Sequence, residues 1–235
     1  MLLAFDADDT LWHHETLFAT AGEGFRAILR AYHDDAFIDE RLHATELENL
    51  KHFGYGIKGF VLSMIETAIA LTEQRISGAE VQRIIDLGRV MLSAPIEPLP
   101  GVAEALTRLS ARHQLVVVTK GDLFDQETKL ARSGLGHHFV GMEVVSQKDE
   151  ATYRRLLERR GASPDAFVMV GNSLKSDVLP VVAIGGRAVH IPYALTWEHE
   201  RVHGVSPESH GYIEVATLAE AVPLIESWAT ITSTT

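Results

Sequence analysis

LLAFDADDT, residues 2–10, joins an apolar run to three acidic residues, Asp6, Asp8 and Asp9, and to Thr10. The run is short, apolar and stopped by charge, which reads as a buried strand over Leu2–Ala7. Carboxylates this close repel one another unless a cation or solvent offsets them. In parallel α/β sheets ligands collect at the carboxyl ends of the strands. The residues at the end of this first strand therefore bear on fold and site together.

From His13 to about Pro98 no comparable strand appears. Apolar stripes at helical spacing do: Phe60, Met64 and Ala68 with Val61 and Ile65, then Val81, Ile84, Ile85, Gly88, Met91 and Leu92. After APIEPLPG (residues 94–101) the character changes. Val102, Leu106 and Leu109 mark a helix, QLVVVT (Gln114–Thr119) a strand and Thr152–Arg160 a helix. Ala166–Gly171 and Arg187–Pro192 read as further strands. YIEV (Tyr212–Val215) reads as a last short one, ahead of a helix with Pro223 near its start or at a break. TITSTT, residues 230–235, reads as a tail without regular structure. Strands alternating with helices imply a doubly wound parallel sheet covered on both faces. A helical block of about 85 residues is too long for a crossover loop. The expected fold is α/β, with a core of residues 1–12 and 98–235 and an inserted helical domain at 13–97.

Composition narrows the function classes. With 21 Lys+Arg against 32 Asp+Glu, the net charge of -11 disfavours nucleic acid and anionic membranes as partners. The absence of cysteine excludes disulfides, thiolate chemistry and cysteine zinc sites. The first apolar stretch is broken by Asp6 and has no basic flank, so neither a signal peptide nor a membrane span is expected, and a cytoplasmic protein is. Twelve histidines include His199 and His203 four apart, but no carboxylate pattern completes a zinc site around them.

Four strand ends carry polar residues: Asp6, Ala7 and Asp8; Thr119, Lys120 and Gly121; Lys148 within VVSQKDE (144–150); and Asn172, Ser173 and Asp177 within VMVGNSLKSD (168–177). In order and type they resemble the haloacid dehalogenase-like superfamily of phosphohydrolases, over nearly the whole chain. FDADDTL (5–11) matches its DxDxT motif, QLVVVT its hydrophobic strand ending in Thr, Lys148 its motif lysine, and VMVGNSLKSD its Gly-Asp-x-x-x-x-Asp pattern. The helical insert resembles the family's helical cap, with PLPG at the return to the core.

The resemblance implies a role for each residue. Asp6 would be the nucleophile that forms an aspartyl-phosphate. Asp8 would protonate the leaving oxygen and then deprotonate the attacking water. Mg²⁺ would be held by Asp6, Asp8 through its backbone carbonyl, Asn172 and Asp177. Thr119, with the backbone N–H groups of Lys120 and Gly121, would bind phosphate oxygens, and Lys148 would offset charge. Asp8 favours phosphatase over dehalogenase, because a departing halide needs no proton and an alkoxide does. Asn172 stands where an Asp is usual, and the proline that commonly follows the motif lysine is missing. Asp9 reads as a hinge residue, Thr10 as bonding its own loop, and the Lys120 side chain as a surface group or one behind the site. The expected activity is Mg²⁺-dependent hydrolysis of a small phosphorylated metabolite. The alternatives are a phosphosugar mutase, a phosphonate hydrolase, or a non-catalytic binder of phosphorylated ligands.

Overall fold

In the computed structural model, which describes residues 1–195 and 197–232, the first strand β1 (Leu2–Phe5) is followed by four helices. These are α1 (Glu15–Leu29), α2 (Asp35–Phe53), α3 (Ile57–Leu71) and α4 (Gly78–Ser93). Strands and helices then alternate: α5 (Val102–Ser110), β2 (Gln114–Lys120), α6 (Leu123–Arg132), β3 (Gly141–Val145), α7 (Glu150–Arg160), β4 (Phe167–Gly171), α8 (Leu179–Ala183), β5 (Arg187–His190), α9 (Pro207–His210), β6 (Ile213–Glu214) and α10 (Leu218–Thr232). The strands form one parallel sheet in the order β3-β2-β1-β4-β5-β6.

β1 lies between β2 and β4, with Phe5 opposite Val117 on one side and Val170 on the other. Its four apolar residues are buried in strict alternation. Leu3 and Phe5 enter one core with α5 and α10; Leu2 and Ala4 enter a second core with α7 and α8. A strand buried on both faces has no room for polar residues until it leaves the sheet, which is why charge begins at Asp6. Each fully buried Leu or Phe here contributes about 1.5–3 kcal/mol. Because the chain turns to opposite sides of β1 for β2 and β4, the carboxyl end of β1 is the topological switch point, where such folds open a crevice.

The chain divides into two compact units. One comprises Met1–Glu15, Ile96–Lys120 and Gln126–Thr235; the other comprises Thr16–Pro95 with Gly121–Asp125. The second has its own core, including Phe25, Leu29, Ile38, Phe60, Met64, Ile84 and Met91. Gly88 on α4 is required there, since a Cβ would come within 2.4 Å of Val61 Cγ2 on α3. Ser77 and Glu80 close a capping box at the start of α4, which satisfies two otherwise orphaned N–H groups.

Several elements differ from the sequence expectation. β1 stops at Phe5, two residues early, because the backbone turns at Ala7, whose carbonyl accepts from Thr10 and Leu11. β3, half-buried along its length, has too weak an apolar signal to be read in advance. Arg187–Pro192 yields a strand only to His190, and Tyr212–Val215 only Ile213–Glu214. Pro223 lies inside α10, and of the expected tail 230–232 continue that helix while 233–235 lie outside the described residues. No helix among the described residues is long and apolar enough to cross a membrane.

Candidate active site

Asp6 is the first residue beyond β1, and its N–H still donates to the Val170 carbonyl of β4 at 2.9 Å. Its side chain is thereby fixed at the switch point, 8% exposed. Lys148, at the end of the loop that precedes α7, inserts its ammonium between Asp6 Oδ1 and Asp177 Oδ1, the latter at 2.7 Å. Asp149 beside it caps α7 by accepting the Thr152 N–H at 2.7 Å, so the helix start sets where Lys148 points. The other Asp177 oxygen accepts the Ser173 N–H at 3.0 Å. Gly171 admits this turn, because a Cβ there would lie 2.3 Å from Asp177 Oδ2. The Thr10 hydroxyl lies 3.3 Å from Asp6 Oδ2 and 3.5 Å from Asn172 Oδ1, so these two oxygens face one spot.

Asp8 lies in a different pocket. Its carboxylate accepts from Trp12 Nε1 at 2.8 Å, Gln126 Nε2 at 2.9 Å and Lys129 Nζ at 2.8 Å to both oxygens. His14 Nε2 stands 3.5 Å away. Burial alone would raise its pKa, but His14 and Lys129 outweigh burial and hold the carboxyl well below the usual range. Asp6 has the opposite balance. Burial pushes it up to about 7, against the downward pull of Lys148 and with Asp177 adding to the rise. Lys148 itself stays an ammonium, since the two carboxylates more than offset its desolvation.

Asp9 adopts a left-handed backbone, φ 61°, and is buried. Its carboxylate accepts from the His14 and Glu15 N–H groups and so starts α1. Burial raises both Asp9 and Glu15 to about 7. At β2 the Thr119 hydroxyl is buried and donates to the Lys120 carbonyl at 3.1 Å. Gly121 comes next at φ 126°, a backbone open chiefly to glycine.

The structure thus brings Asp6, Lys148, Asp177, Asn172 and Thr10 together and turns the Asp8 carboxylate to its own set of donors. Two sequence readings are sharpened. Thr10 bonds its own loop as expected, donating its hydroxyl to Asp6, and it also lies 3.5 Å from Asn172 Oδ1. Of the two readings of the Lys120 side chain, the one behind the site holds: it is 13% exposed and bonded to Ser176 and Glu200. Sequence reasoning missed Gln126 and Lys129, three apart on α6, although a lysine at helical spacing behind the Thr119 loop was the available signal. It also missed His190, whose ring joins the Asn172 carbonyl to the Glu214 carboxylate and braces that turn.

Among the described residues no three His, Asp or Glu side chains gather as a ready metal site. Asn172 replaces one carboxylate, and Lys148 stands between Asp6 and Asp177. The donor chemistry nonetheless fits a hard divalent cation. Asp6 Oδ2 and Asn172 Oδ1 both lie within reach of the Thr10 hydroxyl, and oxygen donors of this kind suit Mg²⁺.

The family model for haloacid dehalogenase-like hydrolases matches residues 1–185. The chain is 29% identical over 212 residues to a glyceraldehyde 3-phosphate phosphatase from Methanothermobacter thermautotrophicus, covering 85% of this chain and 88% of that one. A crystal structure of a hydrolase of the same family from Xanthomonas campestris superposes with a TM-score of 0.87 at 43% identity, over 100% of this chain and 94% of that one. A magnesium-bound hydrolase of this kind from Bacillus subtilis shares the fold, with a TM-score of 0.64 at 18% identity over 95% of this chain and 97% of that one.

Proposed function

We propose that this chain, which belongs to the haloacid dehalogenase-like hydrolase family, hydrolyses a phosphomonoester of a small metabolite through an aspartyl-phosphate on Asp6. The observation that carries the reading is the Asp6 pocket. A buried carboxylate stands at the switch point of a parallel sheet, held by a buried lysine, beside an oxygen set suited to Mg²⁺. The relative with a phosphatase name supports the choice among hydrolases.

In this reading Asp6 Oδ attacks phosphorus, and the ester oxygen leaves with a proton from Asp8. Water then attacks the phosphorus of the acyl-phosphate and gives its proton to Asp8, which releases phosphate and restores Asp6. Lys148 keeps Asp6 oriented and offsets charge on the transferring group. Thr119 and the N–H groups of Lys120 and Gly121 bind the phosphate oxygens. Asp6, Asn172, Asp177 and the Asp8 carbonyl would hold Mg²⁺, which when bound lowers the repulsion between the carboxylates and the incoming phosphate. To serve as the acid, Asp8 must first leave Lys129 and Gln126, because an ionised carboxylate bonded to an ammonium has no proton to give. The helical unit serves as the cap that selects the substrate.

The test is turnover of an aryl phosphate and of glyceraldehyde 3-phosphate by purified protein, with Mg²⁺ and with chelator. Turnover is expected to need the cation and to disappear in Asp6→Asn. Absence of turnover by folded protein that still binds phosphate would instead support the binder.

A further inference from the structure

The sheet order places the two phosphate-facing loops on opposite sides of the nucleophile's strand. Thr119–Lys120 ends β2 on one flank of β1, and Asn172–Asp177 comes after β4 on the other. Backbone hydrogen bonds hold the strands but end where the loops begin. A second device spans the gap. Glu200, in the short turn Glu198–Glu200 between β5 and α9, places one carboxylate oxygen 2.6 Å from Lys120 Nζ. Its other oxygen accepts from Ser173 Oγ and Ser176 Oγ, each at 2.6 Å. Lys120 Nζ donates to Ser176 Oγ at 3.1 Å, so Glu200, Lys120 and Ser176, from three segments, close a ring to which Ser173 is joined at Glu200.

Charge and burial make the ring tight. Both charged side chains are 13% exposed, and hydrogen bonds to charged groups in such surroundings are about twice as strong as neutral ones. The pieces it joins are the working ones. The Lys120 carbonyl accepts from the Thr119 hydroxyl and from Gln126 Nε2, at 3.1 and 3.0 Å. Ser173 donates its N–H to Asp177, which meets Lys148. Lys175 in the β4 loop reaches the His199 carbonyl at 2.9 Å, a second tie between that loop and the Glu198–Glu200 turn.

We infer that Glu200 is a positioning residue, tying the β2 loop to the β4 loop across the end of β1 and so fixing the phosphate crevice. The inference rests on the reading of these loops as phosphate-binding. Glu200 touches none of the reacting atoms; it acts through Lys120, Ser173 and Ser176. Without its charge the Lys120 ammonium loses its counter-ion, the serines keep at best a weaker, neutral acceptor, and the two walls are free to part.

The experiment compares wild type with Glu200→Gln, Lys120→Met and the double variant. It reads KM and kcat on an aryl phosphate, affinity for inorganic phosphate by calorimetry, and the melting temperature. Outer residues that orient a site are typically worth about 10–100-fold. Each single variant is expected to raise KM and to weaken phosphate binding about tenfold or more, with kcat changed much less. The double variant should be no worse than the poorer single, because both break one ring. Unchanged KM and phosphate affinity in Glu200→Gln would overturn the inference, whether or not its melting temperature falls. Wild type that binds phosphate without turning over the ester would refute the hydrolase reading, and the phosphate affinities alone would then decide the role of Glu200. Wild type that neither turns over nor binds phosphate would overturn both.

Discussion

Asp6 and Asp8 stand two residues apart in sequence, yet their pockets are electrostatic opposites. The Asp6 pocket holds a second buried carboxylate, Asp177, and shares a single lysine between the two, so burial leaves the Asp6 carboxyl at about 7. The Asp8 pocket supplies Lys129, His14, Gln126 and Trp12 to one carboxylate and holds it well below the ordinary range. The signs of their linkage to pH are opposite. Asp6, raised in the fold, weakens the folded protein above its unfolded value, and that penalty is relieved as the pH falls below about 7. Asp8, lowered in the fold, supports the folded protein above its unfolded value and loses that support in acid. One pocket sets two carboxylates against one lysine; the other surrounds one carboxylate with cationic and neutral donors.

Asp6→Asn should remove the contrast most severely. Loss of the nucleophile should cut kcat by at least about 10³-fold in steady-state assays, with the chain still folded because the amide nearly keeps the shape. Lys148→Met should cost about 3–5 kcal/mol in urea unfolding at neutral pH, since two buried carboxylates then face each other without a cation. That loss should shrink at pH 5, where the Asp6 carboxyl can take up a proton, and should also shrink when Mg²⁺ is added.

The ion pair of Glu200 extends the contrast beyond β1. Its folded value, about 2, lies below the ordinary 4.5, because Lys120 and the two serines outweigh burial. Its support should therefore be complete above about pH 4.5 and vanish as the pH falls toward 2. The amount is about 3 kcal/mol, and a pH series of unfolding free energies on wild type and Glu200→Gln should show that component in wild type alone. Lys129→Met is the smallest and most informative change, costing about 1–2 kcal/mol as a hydrogen-bonded charge partner is lost. Asp8 freed of its ammonium holds its proton to higher pH. The limb of the kcat profile that needs a protonated acid should then move upward in pH; a limb that stays put would mean Asp8 is not the acid.

Asp6 was legible because charge placed where a buried apolar run ends is costly unless the fold gives it a partner; Lys148 and Asp177 were legible through the resemblance of their segments to the family's motifs. The alternation of strands and helices was legible on similar grounds: buried strands such as Leu115–Val118 are apolar without a break. Lys129, Gln126 and Glu200 were not. Their meaning comes from partners 121, 118 and 80 positions away; helical spacing could place Gln126 and Lys129 behind the Thr119 loop but could not name Asp8 as their partner. β3 escaped because its edge position leaves it half-buried, with Glu143 bonded to Arg159 and Arg160 rather than packed. Asp8 was legible as a residue but not as a state. Sequence puts a carboxylate beside Asp6, and only the fold shows it held by Lys129.

Whether Asp6 is the nucleophile is decided by acid-quenched single turnover with Mg²⁺ and excess enzyme, with peptide mass analysis of the quenched protein. A nucleophilic Asp6 predicts a transient, hydroxylamine-labile phosphoryl group on the peptide that carries it, absent in Asp6→Asn. Turnover with no phosphorylated protein at any quench time, or a phosphoryl group on another residue, would contradict that role.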